Sequence, residues 1–187
     1  MGVDTLLLAV GEEDATRIDP IADTVIDVAV PTGATVVIAH VLTEETYRRA
    51  LDEAGEETTT VLEERFRDRL PDRPGFEGDV PAWLERRSWT GEEVRPEAVE
   101  AVLDRKDLIR ELAVAFDEAD VEYEIRGSVG DPAERIVAMA DELDADFVVV
   151  GGRDRSATSR KLFGSVSQTI LRSVRCPVIS IRQDVSE

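Results

Sequence analysis

The chain has 187 residues, of which 42% are apolar and 34% are charged, a composition typical of a globular protein rather than of a disordered one. Its 41 acidic residues outnumber 22 basic ones, and the net charge of −19 argues against nucleic acid as a partner, since phosphate binding needs a broad basic surface. The sequence shows no signal-peptide pattern and no apolar run near 20 residues, so we expect a cytoplasmic protein without membrane contact.

Five short apolar runs alternate with helix-like segments, which is the pattern of a parallel α/β sheet with helices on both faces. The first, second and fourth runs are almost continuously apolar, as in strands covered on both faces. The third and fifth alternate apolar and polar residues, which we interpret as edge positions. These features predict a Rossmann-like open parallel five-stranded sheet with the strand order 3-2-1-4-5. The five runs are Thr5–Val10, Ala34–Leu42, Val121–Gly127, Asp146–Val150 and Pro177–Arg182.

Helical periodicity predicts five helices between these strands. The first covers Asp14–Val30, and Pro31 is expected to end it. Asp131 is predicted to cap the fourth helix, with Pro132 in its first turn. The other three are predicted over Glu44–Leu70, from Pro96 onward, and over Ser165–Val174.

We interpret residues 1–187 as a single domain that carries an insert at 71–95. Prolines, glycines and both tryptophans, Trp83 and Trp89, are concentrated in this insert. Exposed tryptophans would suit a lid or a partner surface. The alternative is an insert that folds back and buries its tryptophans on its own helices.

A glycine-containing loop follows the fourth predicted strand. It reads Gly151-x-x-Asp154, nine further residues, then Gly164-Ser165 at the start of a helix. Ligands of α/β proteins bind beyond the carboxyl ends of the strands, where the strand order reverses, and both glycine backbone and helix N-termini suit phosphates. From Gly151 to Arg175, six basic residues accompany one acidic residue. The pattern predicts an anion site, unless these basic side chains pair with neighbouring acids.

Ser165 has a second interpretation. Ser165 and Gln168 fit a capping box, in which Ser165 would cap its own helix. Capping and phosphate binding would compete for the same backbone N–H groups. Ser165 alone therefore does not decide between a ligand site and a helix cap.

No residue pattern points to catalysis or to a metal site. His40, the single histidine, has no carboxylate, nucleophile or metal ligand at a recognisable spacing, and P-loop, zinc and nucleophile-elbow motifs are absent. Cys176 is the only cysteine, and we expect a buried structural thiol. Arg172 and Arg175 leave a redox-sensitive thiol as the alternative. We therefore expect a protein that is not an enzyme.

The motifs LLLAV, AHV, GDPAERI, VVVGGR, LFGSVSQTIL and the Cys-Pro-Val tail together resemble the universal stress protein (UspA-like) family. The resemblance covers most of the chain and leaves out the insert at 71–95. ATP-binding members of this family carry Gly-x-x-Gly, nine residues, then Gly-Ser or Gly-Thr. The resemblance implies a homodimer through the last strand and an adenine nucleotide ligand, ATP or AMP with Mg²⁺. It places Val41 beside the base, and around the phosphates it places Gly151, Arg153, Gly164, Ser165, Val166 and Ser167.

Two residues depart from the ATP-binding pattern. Gly11 stands where such relatives usually have aspartate after the first strand, and Asp154 replaces the second loop glycine. A carboxylate about 4 Å from a phosphate costs roughly 4 kcal/mol at an effective dielectric constant near 20. A helix N-terminus stabilises a nearby anion by only about 0.3–2 kcal/mol. We therefore expect an altered nucleotide site.

Three functional hypotheses follow from the sequence. The first is a stress-response module with an altered adenine-nucleotide site, which acts through dimer or partner contacts. The second is the same fold with a lapsed site, which acts only as an interaction module. The third is a slow ATP-hydrolysing enzyme, for which the sequence offers no general base. The acidic surface also indicates a haloarchaeal type, because about 1 M salt shortens the screening length to about 3 Å and suppresses charge repulsion.

Overall fold

The computed structural model of the protein describes residues 2–54, 87–90, 107–151 and 164–181. These residues form one parallel sheet of six strands. The strands are β1 (Thr5–Val10), β2 (Thr35–Leu42), β3 (Arg87–Thr90), β4 (Tyr123–Val129), β5 (Phe147–Gly151) and β6 (Val178–Ile181). Their spatial order is β3-β4-β2-β1-β5-β6. The five predicted strands are β1, β2, β4, β5 and β6, so their predicted order 3-2-1-4-5 is confirmed.

The sixth strand, β3, was not predicted, and it comes from the insert at 71–95. It pairs in parallel with β4, from Arg87 opposite Ile125 to Thr90 opposite Ser128. The predicted edge position of β4 is therefore wrong, because β3 covers that edge. Trp89 lies in β3, whereas Trp83 and the rest of the insert lie outside the described residues.

The alternating sequence of β4 has a different cause from the one we inferred. Tyr123 and Ile125 are buried against the helices on one face, whereas Glu124 is exposed on the other. Successive side chains of a strand point to opposite faces, so the alternation reports which face is covered. It does not report whether the strand has hydrogen-bonded neighbours on both sides.

The helices pack on both faces of this sheet, as predicted. They are α1 (Ile18–Thr32), α2 (Glu44–Ala54), α3 (Asp107–Glu118), α4 (Pro132–Glu142) and α5 (Ser165–Ser173). Helices α1 and α3 contact each other on one face, and α4 and α5 contact each other on the other face. The remainder of the second predicted helix and the start of the third, near Pro96, lie outside the described residues.

Both ends of α1 differ from the prediction. A 3₁₀ turn at Glu12–Thr16 delays its start to Ile18. Pro31 lies inside the last turn rather than ending the helix, so the helix continues by one residue past a proline that cannot donate a backbone hydrogen bond. The helix ends at Gly33, whose φ of 69° is left-handed, a conformation that glycine adopts without strain. By contrast, Asp131 caps α4 as predicted and accepts a hydrogen bond from the Glu134 N–H at 3.0 Å.

Cys176 lies between α5 and β6 and is half-buried rather than fully buried. Burial raises the pKa of its thiol. A raised pKa leaves less thiolate at neutral pH, which disfavours the redox-sensitive alternative. Across the described ranges, no helix has the length and apolar character needed to cross a bilayer.

Asp146 joins the starts of two central strands, and this contact makes stability depend on pH. Its carboxylate accepts hydrogen bonds from the backbone N–H groups of Asp4 (2.7 Å) and Thr5 (3.0 Å), which hold the pKa of Asp146 below its ordinary value of 3.8. A lowered pKa in the folded state adds stability above the ordinary value, and this stability is lost as the pH falls through the folded-state pKa.

We expect Asp146→Asn to lower the free energy of unfolding at pH 7. We also expect the free energy of unfolding of this variant to depend less on pH below pH 4 than that of the wild type. Urea denaturation at constant KCl, from pH 7 down to pH 3, measures both effects. Asp141→Asn is the control, because Asp141 is an exposed carboxylate near the end of α4. Equal slopes for wild type and Asp146→Asn below pH 4 would contradict this assignment.

Candidate functional site

A cavity of about 360 Å³ opens at the carboxyl ends of β1, β2 and β5. Strand β1 lies between β2 and β5. The strand that follows β1 in the sequence, β2, therefore lies on one side of it, whereas β5 and β6 lie on the other. Ligands of open α/β sheets bind at such a reversal of strand order. The N-terminus of α5 forms a further part of the wall.

Most of the residues predicted to surround a nucleotide lie together in this wall. They come from the end of β2, the end of β5 and the first turn of α5, three segments that are far apart in the sequence. Arg153 and Asp154 lie outside the described residues, as do Arg155, Arg160 and Lys161, so the predicted basic loop stays a prediction. The predicted residues in the cavity wall are Val41, Gly151, Gly164, Ser165, Val166 and Ser167.

The first turn of α5 corrects the interpretation of Ser165 as a helix cap. The N-cap position is Gly164, with φ −67° and ψ 167°, and no side-chain cap is formed there by the described residues. Ser165 is the first residue of the helix itself, so it stands one position too late for the predicted capping box. The backbone N–H groups of this turn, which a helix leaves without intrahelical partners, therefore remain suitable as donors to an anion.

Sequence reasoning missed Asp14 and Arg17, two buried charged residues in the cavity wall. The Asp14 carboxylate accepts a hydrogen bond from the Gly11 N–H at 2.8 Å and one from Arg17 Nη2 at 3.0 Å. The 3₁₀ turn brings all three residues together, since Asp14 follows Gly11 by three positions and Arg17 follows Asp14 by three. Although Gly11 lacks a side chain, a carboxylate still reaches the end of β1, from Asp14.

The Asp14 carboxylate packs directly on Gly151, at the end of β5. A Cβ atom at position 151 would overlap Asp14 Oδ1 and come within 2.7 Å of Cγ. The sequence predicts Gly151 as a residue that lets a phosphate approach the backbone. The structure gives another reason for glycine at this position, because the space that a side chain would fill already holds Asp14.

His40 lies at the end of β2 and is buried in the cavity wall. Its Nδ1 atom is 2.9 Å from the carbonyl oxygen of Val10 on the neighbouring strand. A carbonyl only accepts hydrogen bonds, so Nδ1 carries the proton in this contact. The ring thereby links β1 to β2 at the point where both strands end.

Comparison with known proteins gives a family match over nearly the whole chain. The model of the universal stress protein family matches residues 3–182. The stress response protein NhaX of Bacillus subtilis is 31% identical over 77 residues, which are 41% of this chain and 46% of that protein. A universal stress protein of Mycolicibacterium smegmatis is 31% identical over 85 residues, which are 45% of this chain and 65% of that protein. The matched segments thus span less than two thirds of either relative.

Solved structures share the fold at low sequence identity. The hypothetical protein MJ0577 matches with a TM-score of 0.57 and 16% identity, over 100% of both chains. A universal stress protein in complex with cAMP matches with a TM-score of 0.55 and 16% identity, over 98% of this chain and 100% of that one. A universal stress protein family protein of Arabidopsis thaliana with AMP bound gives 0.51 and 16%, over 98% and 94% of the two chains. At these identities the likeness shows the fold alone.

Proposed function

The chain belongs to the universal stress protein family, and from this premise we propose that it is a stress-response module with an altered adenine-nucleotide site. The ligand is ATP or AMP, and it occupies the cavity at the ends of β1, β2 and β5. The protein acts by binding, and it transmits the bound state through contacts with a second copy or another protein. The structures of the same fold that hold cAMP, dAMP and AMP are consistent with this ligand class.

The proposal rests on the start of α5, which lies in the wall of a cavity large enough for a small ligand. No described side chain caps this end of the helix. The cavity volume of about 360 Å³ lies at the lower end of the range typical of ligand pockets. The first turn of α5 supplies backbone donors for a phosphate, and Val41 and Ala9 supply apolar wall for a base. Among the described residues, no three His, Cys, Asp or Glu side chains are grouped so that they could hold a metal ion, and we expect Mg²⁺ to arrive with the phosphates of ATP.

We propose binding without turnover. His40, the one histidine, links β1 to β2 through the Val10 carbonyl, and the sequence places no carboxylate or nucleophile at a recognisable spacing from it. The Asp14 carboxylate already accepts hydrogen bonds from the Gly11 N–H and from Arg17. A slow ATP-hydrolysing activity is the less favoured candidate on these grounds.

The second candidate function is an interaction module with a lapsed nucleotide site. The Asp14 carboxylate favours it, because its charge lies against Gly151, where the predicted phosphate loop begins. Asp154 in that loop would add a second carboxylate. In this case the insert at 71–95 would carry the partner surface.

One experiment separates these two candidates. The protein is purified in concentrated KCl and denatured, and any released nucleotide is identified and quantified by chromatography and mass spectrometry. Calorimetric titration with AMP and with ATP plus Mg²⁺ follows on the nucleotide-free protein. We expect a near-stoichiometric adenine nucleotide or measurable binding of the added one. An empty protein that binds neither ligand would reject the nucleotide site and favour the interaction module.

We also propose a homodimer through the last strand and adaptation to a salty cytoplasm. Val178, Ile179 and Ser180 of β6 are only partly buried, so the strand offers an edge for pairing with a second copy. The net charge of −19 would oppose association at low ionic strength. Light scattering across a KCl series tests both proposals, and a monomer at every concentration would reject the dimer.

A further inference from the structure

The buried ion pair between Asp14 and Arg17 faces the ligand cavity, but the proposed binding mode gives it no role. The side chain of Arg17 is 5% exposed and that of Asp14 is 10% exposed. Placing two charges this far from water is costly even when they are paired, and replacing such a pair with apolar residues is often neutral or stabilising. Its stability contribution therefore does not by itself explain the pair.

The Asp14 carboxylate lies next to the region where a phosphate would bind. It packs on Gly151, and the carbonyl oxygen of Gly151 accepts a hydrogen bond from Ser167 Oγ at 3.3 Å. A single residue of β5 thus separates the carboxylate from the first turn of α5. Charges that lie close together in a partly buried site interact more strongly than they do in water, and dissolved salt screens them less there than at the surface.

Arg17 cancels this charge. Its guanidinium contacts Asp14 Oδ1 at 3.0 Å, while the Gly11 N–H holds the other carboxylate oxygen in place. The carboxylate is therefore fixed on both sides and cannot turn away from an incoming anion without breaking one of these bonds. Among the described contacts of this carboxylate, the Arg17 guanidinium supplies the positive charge that makes its position compatible with a phosphate.

We propose that the Asp14–Arg17 pair sets how much negative charge a ligand of this cavity can carry, and that Arg17 is the residue that admits a phosphorylated nucleoside. The inference rests on the proposed function, since it concerns the ligand of the same cavity. Arg17 is a positioning and charge-balancing residue here, because it acts on the ligand through Asp14. The Asp14 carboxylate disfavours binding of a negatively charged ligand, and the Arg17 guanidinium reduces that repulsion.

The test compares the affinities for adenosine and AMP in three variants of the full chain, by calorimetry at one fixed KCl concentration. Arg17→Met removes the positive charge at similar length and takes the guanidinium away from Asp14. Asp14→Asn removes the negative charge, can still accept the Gly11 hydrogen bond and keeps the size of the side chain. The double variant removes both charges. Arg110→Met is the control, because Arg110 also pairs with an aspartate three positions earlier but is exposed on α3 and is not part of the cavity wall.

The two single variants should shift AMP binding in opposite directions. We expect Arg17→Met to weaken AMP binding about tenfold or more, and Asp14→Asn to strengthen it by roughly three- to tenfold, with adenosine changed less than about twofold in both. The double variant and the control should stay within about threefold of wild type for both ligands. ATP should follow AMP with larger shifts, because it carries more charge.

Equal shifts for adenosine and AMP would overturn this inference while leaving the nucleotide site intact, because they would show a purely structural role. Weaker AMP binding by Asp14→Asn would overturn it as well. If Arg17→Met does not fold, Asp14→Asn alone tests the inference. In that variant the ratio of the affinity for AMP to the affinity for adenosine must be higher than in the wild type. A wild type that binds none of adenosine, AMP and ATP would reject the proposed function and this inference together.

Discussion

Alanine at position 151 should lower the free energy of unfolding by about 1–3 kcal/mol, the usual cost of forcing extra atoms into a packed site. The new methyl group would overlap Asp14 Oδ1 and come within 2.7 Å of its Cγ. The carboxylate cannot move aside freely, because Gly11 and Arg17 both hold it. Backbone strain does not contribute, since among the described glycines only Gly33 and Gly130 have a positive φ. Urea denaturation in concentrated KCl measures the loss.

A double-mutant cycle with Asp14→Ala shows whether the clash with Asp14 is the cause. Asp14→Ala alone leaves Arg17 without its carboxylate and should itself cost about 3–5 kcal/mol. In that background, Gly151→Ala should be nearly neutral or stabilising by about 0.4–1 kcal/mol, because alanine restricts the unfolded chain. The same cost for Gly151→Ala in both backgrounds would show that the loss of stability does not come from a clash with Asp14.

Truncation of Phe116 to alanine should cost about 3–5 kcal/mol, the largest effect that we expect from a single core substitution. Phe116 lies on the inner face of α3 and is fully buried. Its ring packs against that of Tyr123 on β4, with centroids 6.0 Å apart and planes tilted by 54°. The substitution would therefore leave a cavity between α3 and β4 and remove an aromatic contact worth about 0.5–1.5 kcal/mol.

Val114→Ala is the matched control for Phe116→Ala, because it lies on the same helix. Its side chain is 46% exposed, so we expect a change within about 0.5 kcal/mol. Thermal or urea unfolding of both variants in the same KCl buffer gives the comparison. A loss below about 1 kcal/mol for Phe116→Ala would mean that the packing between α3 and β4 contributes little to stability.

The strand order was predictable because periodicity and apolar character report directly on burial. β1, β2 and β5 read as continuously apolar, and all three lie inside the sheet. The position of β4 was not predictable in this way. Its alternation reflects one exposed face, whereas its neighbour β3 is a four-residue strand from the insert, with too short a pattern to recognise.

The location of the cavity was also predictable, but the contacts within its wall were not. The spaced glycines after β5 and the resemblance to a known family placed Gly151 and Gly164 near a ligand, and both lie in the cavity wall. The contact of Asp14 with Gly151 joins residues that are far apart in the sequence. No local pattern reports such a contact, although the three-residue spacing of Gly11, Asp14 and Arg17 is compatible with a tight turn that links them.

The position of β1 in the middle of the sheet has a consequence for how the protein is made. One edge of β1 pairs with β2, about 30 residues later, whereas the other pairs with β5, where Leu6 lies opposite Phe147. Position 147 follows position 6 by 141 residues, and at about 5–20 residues per second a ribosome needs roughly 7–28 seconds to synthesise them. Even if β1 pairs with β2 as soon as both are made, its other edge has no strand to pair with until β5 is synthesised. The nascent chain should therefore depend on chaperones more than its native stability suggests.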